Sequence, residues 1–233
     1  MTLLALEHVG KRLWRAPHER LLLDDVCFEL VPGELAALWG PRRSGRSTLL
    51  RIAAGIERPD AGVVRFDGRD LARGASVLGE GIGYVQKTLR DVEAQSVREE
   101  VMVSLLARGT APSEAEARAL EALERAGAAE CAARAPRELD TAESVRVALA
   151  RTLVLSPRLL IIDEPVNGVE LLQRDGILLL LRSLADEGLA VLASTADSTG
   201  LSGTDRALAL SAGKLRCGPA PELAPVLPLR RSA

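Results

Sequence analysis

The sequence predicts an α/β fold, a mostly parallel sheet covered by helices on both faces. Three observations predict it. Short apolar runs alternate along the chain with stretches whose apolar residues recur at helical spacing. Several of the runs, such as ELAALW (34–39) and RLLIIDEP (158–165), are continuously apolar, as strands buried on both faces are. The run at 34–39 enters a glycine-containing loop and then a helical pattern, the order in which α/β units build sites at strand ends.

The elements follow in turn. LLALEHV (3–9) and VCFEL (26–30) are short, partly alternating strand signals, and Pro32-Gly33 makes a turn. After ELAALW, STLLRIAAGI (47–56) carries helical spacing, VVRFDGRDL (63–71) reads as a hairpin, and GIGYVQ (81–86) as a strand. From about residue 96 to 130 the composition shifts to Ala, Glu, Arg and Leu with helical periodicity, and Ser113 with Glu116 predicts a capping box. SVRVALARTLVL is the next helix, RLLIIDEP a strand, LLQRDGILLLLRSLADEG a helix, LAVLAST a strand, and RALALSAGKLR a final hairpin. The tail from Cys217 carries four prolines and is expected to be irregular.

Composition limits what the chain can do. Its 233 residues are 47% hydrophobic, enough for a good core and one or two domains. A net charge of −2 with interspersed signs gives no electrostatic footprint for a nucleic-acid partner. No apolar stretch approaches the roughly 18 residues that span a bilayer, and no secretion-signal pattern opens the chain, so any membrane role is expected to be peripheral. Cys27, Cys131 and Cys217 are odd in number and widely spaced, which argues against a disulfide framework or a zinc cluster and fits a reducing cytosol. Of the 30 basic residues only Lys11, Lys87 and Lys214 are lysine, so arginine is written wherever either cation is tolerated.

Two separated motifs point to a nucleotide. GPRRSGRST (40–48) fits the phosphate-loop pattern G-x(4)-G-K-[ST] except that Arg46 stands at the lysine. Glycines Gly40 and Gly45 let the backbone N–H groups of Pro41 to Thr48, proline apart, curl around phosphates, and Ser47 offers a hydroxyl to Mg²⁺. Far along the chain an apolar strand ends in Asp163-Glu164. Asp163 is suited to hold Mg²⁺ through water, and Glu164 to orient or deprotonate an attacking water.

The order GPRRSGRST, GYVQ, LDTAESVRVALART, LLIIDEPVNGVE, VLASTAD resembles the ATP-binding subunit of ABC transporters over residues 3–216. LLDDVCFEL with PGEL, SVREEV with LLARG, and PRELD are most similar to the branch of lipoprotein-release, macrolide-export and cell-division ATPases. The resemblance implies a P-loop NTPase core of ABC type with an antiparallel amino-terminal part, over 1–86 and 146–216, a helical insert over about 87–145, and a separate tail, 217–233. It implies ATP and Mg²⁺ as cofactors, a homodimer or heterodimer with another ATP-binding subunit, and a transmembrane permease partner at the cytoplasmic face of the membrane.

Carried across position by position, Gln86 matches the glutamine loop at the Mg²⁺ and γ-phosphate side, and Trp14 offers a ring to adenine, one residue beyond the expected Leu13. The phosphate loop spans Gly40, Pro41, Arg42, Arg43, Ser44, Gly45, Arg46, Ser47 and Thr48. The resemblance also places a permease-docking groove at Lys87 to Val101; its charges Arg90, Asp91, Glu93, Arg98, Glu99 and Glu100 read equally well as a solvated face.

The departures matter as much. The family signature L-S-G-G-Q is here Leu139, Asp140, Thr141, Ala142 and Glu143, which brings a carboxylate and two Cβ atoms toward a polyanion. The switch histidine falls on Ala196, and Asn167-Gly168-Val169-Glu170 replaces S-A-L-D. Arginine is longer and forked where lysine is a compact charge, so Arg46 is not a conservative change. Two functions remain open: a transporter ATPase with weak or lost hydrolysis, or a non-catalytic nucleotide-binding module acting as regulator or scaffold.

Overall fold

The computed structural model of the chain describes residues 1–15, 18–72, 81–85, 96–197 and 203–219. The chain begins with a long hairpin, β1 (Leu4–Arg15) and β2 (His18–Leu30). The sequence signalled only its base. Register shifts between Leu6 and Val9, Val9 and Lys11, and Lys11 and Arg12 interrupt the ladder, and each bulge breaks the alternation by which a strand is recognised.

The remaining elements are β3 (Leu35–Trp39), α1 (Arg46–Ala53), β4 (Ala61–Phe66), β5 (Arg69–Asp70), β6 (Ile82–Val85), α2 (Val97–Leu106), α3 (Pro112–Arg125), α4 (Thr141–Leu153), β7 (Leu159–Ile162), α5 (Leu171–Asp186), β8 (Ala190–Thr195), β9 (Arg206–Ser211) and β10 (Lys214–Pro219). They form two sheets. One is antiparallel in the order β2-β1-β4-β5; the other runs β10-β9-β3-β8-β7-β6, all parallel except the β9–β10 hairpin.

Alternation along the central strands builds both cores. Leu159 and Ile161 of β7 and Ala190 and Leu192 of β8 pack with α1 and the antiparallel sheet. Their neighbours Leu160, Ile162, Val191 and Ala193 pack with α2, α3, α4 and α5. The period of two thus sends successive side chains to opposite layers. All four residues of β7 are fully buried, each stabilising the fold by about 1.5–3 kcal/mol.

Local expectations changed in four places. Ser113 lies inside α3, whose N-cap is Ala111 with Pro112 opening the helix; proline at that position presets the helical φ and needs no side-chain cap. The capping boxes belong instead to Ser96 with Glu99 and Asp140 with Glu143. β10 carries Cys217, Gly218 and Pro219 into the tail as a strand because β9 pairs with them. The boundary expected near residue 145 falls inside α4, which runs without a break from Thr141 to Leu153. In the expected docking stretch, Lys87 to Val101, residues 87–95 lie outside the described ones. Of the rest, Arg98 pairs with Glu116 and Glu99 closes a cap. Glu100 is not a solvated charge: it is buried, with Arg151 3.0 Å away, and burial pushes its carboxyl above the ordinary range.

Candidate nucleotide site

The parallel register brings the ends of four strands level. Trp39 pairs with Thr195, Ile162 with Ala193, and Val85 with Ile162. The residues that follow, Gly40 after β3, Asp163 after β7 and Ala196 after β8, therefore gather at the carboxyl edge of the sheet. That edge is where open α/β sheets hold ligands. Gln86 follows β6 but lies outside the described residues, and so does the side chain of Trp14, whose backbone pairs with Glu19 in the first hairpin.

The loop from Gly40 to Gly45 is shaped by two glycines. A Cβ on Gly40 would lie 2.3 Å from the Leu210 carbonyl oxygen, so β9 approaches as closely as only glycine permits. Gly45 has φ 104° and forms the N-cap of α1, packed on Leu22. No side chain caps this helix end, and no acidic residue lies in its first turn. Its free N–H groups and positive dipole end make a ready anion seat. Arg42, Arg43, Pro41 and Ser47 are exposed around it, and Thr48 turns to its own helix, where its hydroxyl accepts from Arg51 at 3.2 Å.

Arg46 is buried, not extended into solvent. Its Nη2 donates to Glu164 Oε1 at 2.7 Å, while its buried Nη1 has no partner. The Ser44 hydroxyl beside it in the loop is also buried and unpartnered. Buried donors left this way cost about 1–3 kcal/mol each unless something meets them. Oxyanions of a polyphosphate fit that need, so the residues present suit the group the motif implies.

Asp163 and Glu164 are held by a residue that the sequence did not single out. Ser194, buried at the end of β8, donates its hydroxyl to Asp163 Oδ1 and accepts the Glu164 backbone N–H at 2.9 Å. Glu164 itself has a left-handed backbone, φ 48°, which costs on the order of 1–2 kcal/mol for a residue with a Cβ. That conformation points its amide at Ser194 and its carboxylate at Arg46. Asp163 also raises the phenol of half-buried Tyr84 on β6, after the larger effect of desolvation. An aspartate at the sheet edge with one oxygen fixed by Ser194 is the oxygen donor that Mg²⁺ prefers.

The positions aligned with the signature are arranged differently. Asp140 is the N-cap of α4: its Oδ1 accepts the Glu143 N–H at 2.8 Å, and Glu143 Oε2 accepts the Asp140 N–H at 2.8 Å. Arg134 donates to the other oxygen of Glu143, and Gln173 of α5 donates to Asp140 Oδ2 at 3.3 Å. The Glu143 amide holds the Asp140 carboxyl below its ordinary range, and the Arg134 guanidinium does the same for Glu143. Thr141 is exposed, Ala142 buried and Leu139 half-buried. Ala196 is exposed, in a turn that Thr195 and Asp197 close.

Comparisons with known proteins point the same way. Residues 23–167 match the ABC transporter family. The chain is 35% identical to the lipoprotein-releasing system ATP-binding protein LolD of Chromohalobacter salexigens, covering 88% of this chain and 89% of that protein. It is 33% identical to the cell division ATP-binding protein FtsE of Escherichia coli, over 93% and 98% of the two. An uncharacterized ABC transporter ATP-binding protein of Mycobacterium tuberculosis is 33% identical over 86% of this chain, which spans only 62% of that relative's length. The dimeric structure of a bacterial ABC transporter cassette superposes with a TM-score of 0.85 at 24% identity, covering 95% of this chain and all of the other, a likeness of fold.

Proposed function

Because the chain belongs to the ABC transporter family, as one of its ATP-binding subunits, we propose that it binds Mg-ATP at the Gly40–Thr48 loop and turns it over slowly. The observation that carries this reading is the split guanidinium of Arg46. One arm is committed to Glu164 and the other, buried and unpartnered, is free to meet a phosphate. Binding therefore keeps a charged donor, together with Ser44 and the open amino terminus of α1. Hydrolysis is impaired at the same point, because the carboxylate suited to orient water already accepts a hydrogen bond from the buried Arg46 guanidinium. Arg46 and Ser47 would hold phosphate and metal, and Asp163, set by Ser194, the cation. A bound Mg²⁺ supplies charge neutralisation to the phosphates.

On this reading the subunit pairs with itself or a second ATP-binding chain and docks peripherally on a permease at the cytoplasmic face, with residues 1–86 and 146–216 as core and about 87–145 as insert. Among the described residues no helix is long and apolar enough to cross a membrane. A second reading, a non-catalytic regulator or scaffold, is favoured by Asp140, which is spent on capping its own helix.

The test is calorimetric titration with Mg-ATP, with phosphate release in parallel, on wild type, Arg46→Lys and Glu164→Gln. Saturable binding with slow release, accelerated by Arg46→Lys, is the expected result. Rapid wild-type release abolished by Glu164→Gln would overturn the proposal of slow turnover, and absence of binding would overturn the nucleotide site itself.

A further inference from the structure

We propose that His8, Asp25 and Cys27 form a binding site for a thiophilic divalent cation, of which Zn²⁺ is the prototype, on the bulged side of the β1–β2 hairpin. The cluster is distinct from the nucleotide site in residues and in chemistry. The bulge between Leu6 and Val9 takes His8 out of the ladder, and none of the three residues has a cross-strand partner in it. Asp25 and Cys27, two apart on β2, share a face, and His8 turns over it from β1. One ligand atom from each residue lies within 4.8 Å of the other two. His8 Nδ1 is 2.7 Å from Asp25 Oδ1 and 3.8 Å from Cys27 Sγ.

Those separations are close to what a tetrahedral zinc needs. Zinc bonds of about 2.0–2.3 Å put neighbouring ligand atoms about 3.4–3.6 Å apart. The sulfur–imidazole distance nearly meets this already, and the imidazole–carboxylate contact has to open by about 0.7 Å. Side-chain rotation supplies such a movement, since all three residues are exposed.

The charges also match. A thiolate, a carboxylate and a neutral imidazole neutralise a divalent ion, the thiol proton passing to solvent as the metal–sulfur bond forms. The set is of the soft and borderline type that selects zinc over magnesium or calcium. Three protein donors leave a fourth position for water or another side chain. Cys27 Sγ already accepts the His8 backbone N–H that the bulge frees, at 3.1 Å, which fixes the sulfur beside the imidazole, while the His8–Asp25 pair is 78% and 68% exposed and such surface pairs contribute little to stability. Cysteine spacing hides the site, because two of its three donors are not cysteine and the hairpin alone joins residue 8 to residues 25 and 27.

The experiment is titration of the metal-free full chain with Zn²⁺ by calorimetry and with Co²⁺ by absorption, in the absence of nucleotide. One equivalent should bind, with a sulfur-to-cobalt charge-transfer band. Cys27→Ser and His8→Ala should each weaken binding by at least the roughly tenfold that losing even an outer-shell partner costs. Cys217→Ser, which removes the other exposed cysteine, should leave it unchanged, and circular dichroism should show all variants folded. No saturable binding, equal binding in Cys27→Ser, or loss on Cys217→Ser would overturn the proposal.

Discussion

At the carboxyl edge of the sheet and at the amino end of α4 stand Arg46 and Asp140, where the family resemblance implies lysine and serine, and the surroundings of the two differ in opposite ways. At the sheet edge, Arg46 Nη1 and Ser44 Oγ are buried without partners. At α4, Asp140 and Glu143 cap each other, and Arg134 and Gln173 take the oxygens that remain. Buried polar groups without partners are rare in native folds and ask for an explanation, whereas a closed hydrogen-bond set explains itself as helix capping. The first region thus keeps the marks of a ligand site despite its substituted residue. In the second, the positions expected to carry the signature serve as a local helix cap.

The sharpest way to break this contrast is to remove one charged group from each side. Arg46→Ala should weaken Mg-ATP binding by the 1.5–3 kcal/mol or so of a charged hydrogen bond, about 10- to 150-fold. Asp140→Ala should leave binding to the isolated chain within about twofold. Calorimetry on both variants decides it, and equal losses would erase the distinction between the two regions. Next in size, Gly40→Ala should destabilise the fold by about 1–3 kcal/mol, since its Cβ would overlap the Leu210 carbonyl. A drop in thermal midpoint of several degrees is expected; an unchanged midpoint would mean that the loop and β9 are not packed as described. Smaller again, Asp140→Ala should cost about 1 kcal/mol of stability, and Asp140→Asn, itself a good cap, almost nothing. Denaturant midpoints would show this, and a neutral alanine variant would refute the capping role.

How legible these features were depended on their range. The strand, loop and helix around Gly40–Gly45 were visible because glycine and apolar patterning act locally. The Asp140–Glu143 box is equally local, an acidic cap with glutamate three residues on, but the same residues stand where the family resemblance places the signature and so read as departures from it. Ser113 offered the same local signal and was overridden by Pro112, which begins α3 one residue earlier. The Arg46–Glu164 pair spans 118 residues of chain, and Ser194 sits in a strand buried throughout. Neither has a sequence signature, because register and sheet order alone bring them to the site. Glu100 read as surface charge for the same reason: its burial depends on α4 supplying Arg151.

The smallest effect tests the α4 side by titration. Asp140 and Glu143 both have carboxyls held below their ordinary values in the folded chain. Near pH 4 the unfolded chain therefore binds more protons than the folded one, so the contribution of these groups is fully present above the unfolded values, about 4, and is lost as pH falls through the folded ones. The doubly neutral variant Asp140→Asn with Glu143→Gln keeps the capping hydrogen bonds without the titration. Compared by urea midpoints between about pH 6 and about pH 3, wild type should lose more stability than this variant, by under about 1 kcal/mol because both groups are near the surface. Parallel acid profiles would show that the carboxylates gain nothing from their charge at the helix end. The cap would then be only a matter of hydrogen-bond shape, and the choice of Asp and Glu over Ser and Gln at these positions would have no electrostatic basis.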